Sequence, residues 1–218
     1  MPEYSGHVSA EIYLLRFSES GRLKEINCAP SNLVKKGDLL AAIDPTPVQT
    51  QLDIELADYR RIRSEFDQLT RQLPIPKTED EKTKKEIAQS RLDVSVKTVE
   101  KYKLTLDSLN LHAPFDAVII STEGLAPGVN ITPSGFPIIV ADTKTAVFAV
   151  SLPESDFYSL SPGQSGQISL KNGFRFDSTI SFLAPQSEKG YSHFTVHFRL
   201  PPLDLSNFRL GTTGTVTI

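Results

Sequence analysis

Cysteine, methionine and tryptophan are nearly missing from these 218 residues: one Cys, one Met and no Trp. A lone cysteine excludes an intrachain disulfide and leaves the redox compartment open. Within an alternating strand pattern, Cys28 reads as a small buried apolar residue. Met1 is the only thioether, which disfavours a soft-metal site. No apolar run approaches the ~18 residues that cross a bilayer, and Met1-Pro2-Glu3 is too polar to open a signal peptide. An exported or anchored protein would carry that segment outside this chain. Basic residues form no long run, pairs such as Lys35-Lys36 and Lys84-Lys85 read as solvated surface, and the net charge is −3. That balance argues against a nucleic-acid partner. Of the four histidines, only His193 and His197 are suggestively spaced. Phe194-Thr195-Val196 between them reads as strand, which sets them roughly 13 Å apart, too far to share an ion. Neither a Ser-His-Asp spacing nor a phosphate-binding glycine loop is present. The expectation is a protein that is not an enzyme, with no catalytic residue, metal site or cofactor.

What is present is a long helical insertion, Pro47 to Leu109. Apolar residues run Val48, Leu52, Leu56, Tyr59, Ile62, Phe66, Leu69 and Leu73, in steps of four, four, three, three, four, three and four. Such steps average near 3.5 and predict a narrow coiled-coil seam. Leu73-Pro74-Ile75-Pro76 then stops the helix, because proline lacks an N–H and restricts the residue before it. Thr78 with Glu81 fits a capping box for a return helix, and Glu79 and Asp80 suit its first turn. The return stripe reads Ile87, Leu92, Val96, Val99, Leu106 and Leu109. Each arm is about 40 Å long at 1.5 Å per residue. Both remaining faces are densely charged, so two narrow stripes can satisfy only each other. The reading is a projecting hairpin.

The flanks read as β structure. Residues 5–15 alternate as one strand through Val8, Ala10, Ile12 and Leu14, and short strands follow between turn residues at 22–28 and 33–44. Beyond the hairpin, 111–120 and 135–142 do the same. Gly37-Asp38-Leu39-Leu40-Ala41-Ala42-Ile43-Asp44 matches Gly135-Phe136-Pro137-Ile138-Ile139-Val140-Ala141-Asp142, with glycines and aspartates each 98 positions apart. This repeat suggests two related half-sheets packed face to face with the hairpin between them. From Thr143 come a strand at 146–152, a short helix at 153–160 opening on proline, and strands at 166–170, 175–183, 193–200 and 214–218. They predict a small barrel completed by the strand at 5–15.

In this order around a hairpin, several motifs resemble the periplasmic adaptors, or membrane fusion proteins, of efflux pumps and type I secretion systems. They are Ser20-Gly21-Arg22-Leu23 with Val34-Lys35-Lys36-Gly37-Asp38-Leu39-Leu40-Ala41, then Leu111 through Asp116, then Leu152-Pro153-Glu154-Ser155-Asp156 with Pro162-Gly163-Gln164. The resemblance covers nearly the whole chain. It implies a mainly β fold with an α-helical coiled-coil hairpin, a lipoyl-like β-sandwich split by that hairpin, and a small β-barrel domain, elongated overall. The expected boundaries are 1–16 (strand joining the barrel), 17–46 and 110–142 (sandwich halves), 47–109 (hairpin) and 143–218 (barrel). It further implies a hexameric ring bridging an inner-membrane transporter of RND or ABC type to an outer-membrane channel. The protein would be periplasmic and anchored to the inner membrane, its hairpin tip meeting the channel through Arg71, Leu73, Pro74, Ile75 and Lys77. Three departures stand out: Ala117 replaces a glycine, Pro30-Ser31-Asn32 replaces an acidic residue and glycine, and Lys82 stands where the tip motif has serine. The resemblance further implies a membrane-proximal domain that is absent or trimmed here.

Two other classes compete. A lipoyl or biotin carrier fits the half-sandwich repeat, but the hairpin fills the place of its lysine turn, and Lys35 and Lys36 read as solvated. A coiled-coil scaffold without a transport role explains the hairpin but not the β modules.

Overall fold

The strand expected over 5–15 divides between two sheets. The computed structural model describes residues 2–184, 193–200 and 209–218, and in it this stretch is β1, Glu3–Ser9, followed by β2, Ile12–Leu15. Alternation runs through both, which hid the break. Val8 is buried in one core, whereas Ile12 and Leu14, of the same parity, face outward from another layer. The kink is pinned where the Glu11 N–H donates to Thr145 Oγ1 and the Asp142 N–H donates to the Glu11 carbonyl.

Next come β3 (Gly21–Ile26), β4 (Leu33–Val34), β5 (Leu39–Ile43), helices α1 (Thr46–Gln72) and α2 (Glu79–Ser108), then β6 (Asn110–His112), β7 (Ala117–Ser121), β8 (Asn130–Ile131) and β9 (Ile138–Asp142). The strands form two four-stranded sheets, β2-β9-β7-β4 and β6-β5-β3-β8. Both close over one core that includes Leu23, Leu40, Ile43, Ala117, Ile119, Ile138 and Val140. Cys28 lies in it too, and burial pushes its thiol pKa up. Exchanging β2, β3, β4 and β5 with β6, β7, β8 and β9 in turn converts one sheet order into the other. The octet repeat therefore extends to the whole sandwich. Its closing aspartates do the same work: Asp44 Oδ1 accepts from the Thr46 N–H at 3.0 Å, and Asp142 Oδ1 from the Lys144 N–H at 2.8 Å. Each starts a helical turn by satisfying an orphan donor. Hydrogen bonds to Thr46 draw the Asp44 pKa below its usual value.

The two departures in this layer are accommodated locally. Ala117 puts its methyl in the core, 1% exposed. Ser31 is the one non-glycine residue at positive φ among those described, at 72°, a conformation that costs L-residues roughly 1–2 kcal/mol. Backbone bonds from Ser31 N–H to the Ile119 carbonyl and from Ile119 N–H to the Asn32 carbonyl hold the turn against β7.

The remaining strands are β10 (Val147–Pro153), β11 (Ser165–Leu170), β12 (Arg175–Leu183), β13 (His193–Arg199) and β14 (Thr213–Thr217). With β1 they form a closed six-stranded barrel, β1-β10-β13-β12-β11-β14, which leaves no open edge. Parts of the expected 143–218 barrel, at 185–192 and 201–208, lie outside the described residues. Its core is separate from that of the sandwich and centres on Phe148, which sits opposite Val8 on one side and Phe198 on the other. The Phe148 ring lies over Gly6, where a Cβ would come within 2.7 Å of it. The short helix expected at 153–160 is only α3, Glu154–Phe157, with Pro153 as its N-cap and still part of β10. No helix among the described residues is long and apolar enough to cross a membrane.

Candidate docking site at the hairpin tip

The hairpin springs from adjacent strands of one sheet. β5 and β6 are neighbours, and the Ile43 N–H donates to the Leu109 carbonyl at 2.9 Å, so the two arms enter and leave side by side. Val48 and Leu106 pack against the sandwich core at the base. Farther out, each arm has only the other. The eight α1 stripe residues from Val48 to Leu73 are all buried or half-buried.

On α2 the structure departs from the sequence reading at Ile87, while Val96 is half-buried beside the seam. The seam runs through Lys85, Ala88, Leu92, Ser95, Val99, Tyr102, Leu106 and Leu109, alternating steps of three and four, and Ile87 is instead 49% exposed. A search for large apolar side chains passes over Ala88 and Ser95. Ser95 is tolerated there because its hydroxyl donates to the Leu92 carbonyl at 2.8 Å, leaving no unpaired donor. Ile87 and Val94 line an open groove between the arms with Asp58, Arg61 and Arg91. Ion pairs add little between the arms. Each of the five found among the described residues stays within one helix, three on α1 and two on α2, as Arg61 does to Asp58 and Glu65, and all are exposed. The seam holds the hairpin closed.

At the tip, the C-cap Leu73 donates its N–H to the Leu69 carbonyl at 2.8 Å and is half-buried. Pro74 is exposed, Ile75 is 76% exposed and Pro76 turns partly inward. Arg71 and Lys77 are exposed on either side, the first donating from Nε to the Asp67 carbonyl. Thr78 and Glu81 form the reciprocal capping box, and Glu81 Oε2 also accepts from the Lys77 N–H at 2.6 Å. Thus the five candidate residues fall within one turn and its flanks, and the turn is fixed by backbone caps. Lys82 pairs with Glu79 at 2.6 Å and is directed along α2. Thr78→Ala should cost the tip about 1 kcal/mol. Hydrogen exchange at the first turn of α2 should accelerate about fivefold, with the β domains unaffected.

The two suggestively spaced histidines lie along β13, opposite Pro153 and Ala149. His197 packs on the Phe182 ring at 5.3 Å between centroids, and desolvation lowers its pKa.

Solved structures match this arrangement over its whole length. The membrane fusion protein Spr0693 of Streptococcus pneumoniae R6 superposes with a TM-score of 0.76 at 14% identity, covering 100% of this chain and 98% of that one. The chain has the fold of the membrane fusion proteins. A MacA-MexA chimera carrying the Pseudomonas aeruginosa MexA hairpin shares this fold with a TM-score of 0.78 at 19% identity, over 99% of this chain and 80% of the chimera. In sequence, the macrolide export protein MacA of Yersinia pestis is 25% identical over 232 residues, covering 91% of this chain. This chain spans 62% of that protein's length. No family model matches.

Proposed function

We propose that this chain is the adaptor subunit of an export machine, linking an inner-membrane transporter to an outer-membrane channel as a structural conduit. The observation that carries the reading is the tip: a capped, fixed turn at the end of arms about 40 Å long, presenting Ile75 to solvent. An apolar side chain held that far from any core has nothing in its own chain to bury it, which suits a docking contact. The likeness to an exporter of macrolides and to membrane fusion proteins supports the same role. The sandwich is lipoyl-like and serves as the rigid joint. The groove carrying Ile87 and Val94 suits lateral packing of neighbouring hairpins into a tube, in a ring of six. The assembly is periplasmic and anchored at the inner membrane, with an RND or ABC transporter beneath it. Leu73, Pro74 and Ile75 form the apolar centre of the tip, rimmed by Arg71 and Lys77.

Site-specific photocrosslinking from position 75 in the native host tests this reading. Capture of an outer-membrane channel is the expected result. Capture only of neighbouring copies or of a soluble protein would make the hairpin an assembly device and overturn the docking role.

A further inference from the structure

The internal repeat supplies its own control for surface chemistry. Outward positions on the sheet β6-β5-β3-β8 carry Asn110, His112, Asn130 and Arg22, all exposed and polar. Outward positions on β2-β9-β7-β4 carry Ile12, Leu14, Leu33 and Val118 instead. Three of these are among the more exposed aliphatics described: Ile12 at 58%, Leu14 at 56% and Leu33 at 61%. Ile139 and Ile120 extend the same face. An antiparallel sheet with one solvated face normally alternates to polar residues there, and the twin sheet shows that this architecture has no need of apolar ones. Leu33 and Ile12 also sit on the two edge strands, where natural sheets usually place charge.

We propose that the outer face of β2-β9-β7-β4 binds a second copy of this chain, sheet against sheet, about a dyad parallel to the strands between β9 and β7. One row across the sheet reads Ile12, Ala141, Val118, Leu33, with large exposed aliphatic side chains at both edges, the buried Ala141 and half-buried Val118 between them, and no charge. The dyad lays Ile12 of one copy over Leu33 of the other and Ala141 over Val118, so the face complements itself in shape. Charge complements in the same way. Glu11 precedes Ile12 at one edge, and Lys35 and Lys36 follow Val34 at the other, at the same end of the sheet. None of the three forms an ion pair among the described residues. The dyad sets Glu11 of each copy against the lysine pair of the other. This contact is independent of the hairpin tip and stands or falls without it.

Sedimentation velocity on the 218-residue chain across a concentration series should show a reversible dimer. Leu33→Glu should weaken it at least about tenfold with an unchanged circular dichroism spectrum. Arg22→Glu, on the twin sheet, should leave it alone. Chains bearing Ile12→Cys mixed with chains bearing Leu33→Cys should cross-link through a bismaleimide of ~10 Å reach, the spacing of packed sheets. Buried Cys28 leaves the introduced thiols as the reactive ones. A chain monomeric throughout the series, a dimer indifferent to Leu33→Glu, or Ile12→Cys chains linking to themselves as readily as to Leu33→Cys chains would overturn the proposal.

Discussion

Replacing Ile75 by aspartate is expected to abolish export in the native host while the chain keeps its fold. With the side chain 76% exposed, little burial is lost within the chain, and a surface change of this kind shifts stability by no more than about 0.5 kcal/mol. The turn does not depend on it either: Leu73, Thr78 and Glu81 make the capping bonds. In the docked state the same carboxylate would enter an apolar contact without a partner. That costs roughly 2 kcal/mol or more at each tip, and in the proposed ring the loss would multiply across tips that bind together. Ile75→Leu should retain export, since it keeps the apolar volume. Export assays beside thermal melting of the purified variants separate the two effects. Normal export by the aspartate variant, with the protein present at ordinary levels, would sink the docking contact.

Phe148→Ala should do the reverse and unfold the barrel without reaching the tip. The ring has no solvent exposure and stands between Val8 and Phe198 on neighbouring strands. Gly6 below it has no side chain to swing into the void, so collapse around the cavity is limited. Truncations of this kind cost roughly 3–5 kcal/mol, a large part of the 5–15 kcal/mol that holds a typical domain together. The sandwich has a separate core. Its amides should therefore keep their hydrogen-exchange protection while those of β10 and β13 lose theirs. Equal loss of protection in both layers would show that the cores unfold as one unit.

Legibility in the sequence followed the size of the side chains that carry each signal. The hairpin was plain because the α1 stripe is built of large residues and its stop signal of two prolines. The α2 seam was harder, since Ala88 and Ser95 occupy it without looking like a seam and Ile87 looks like one without occupying it. The repeated octet disclosed the half-sheets, because glycine and aspartate recur where backbone turns need them. The division of residues 5–15 was hidden for a physical reason: alternation reports parity and not which sheet a residue serves. Ile12 and Leu14 looked like inward residues of one strand, although they face outward on another layer. At the tip, two prolines in sequence mark a turn, while the exposure of each side chain depends on how that turn is capped.

The seam of the two arms also fixes how the molecule can change its reach. Because both helices keep apolar contacts in alternating steps of three and four, an inserted or deleted segment preserves the pairing only when it adds whole heptads to both arms together. Each such pair of insertions moves the tip by about 10 Å, seven residues at 1.5 Å each. Single-residue changes in one arm instead rotate its stripe by about 100° and expose it. Reach is thus available to this architecture in discrete rungs, set by the period of the helix.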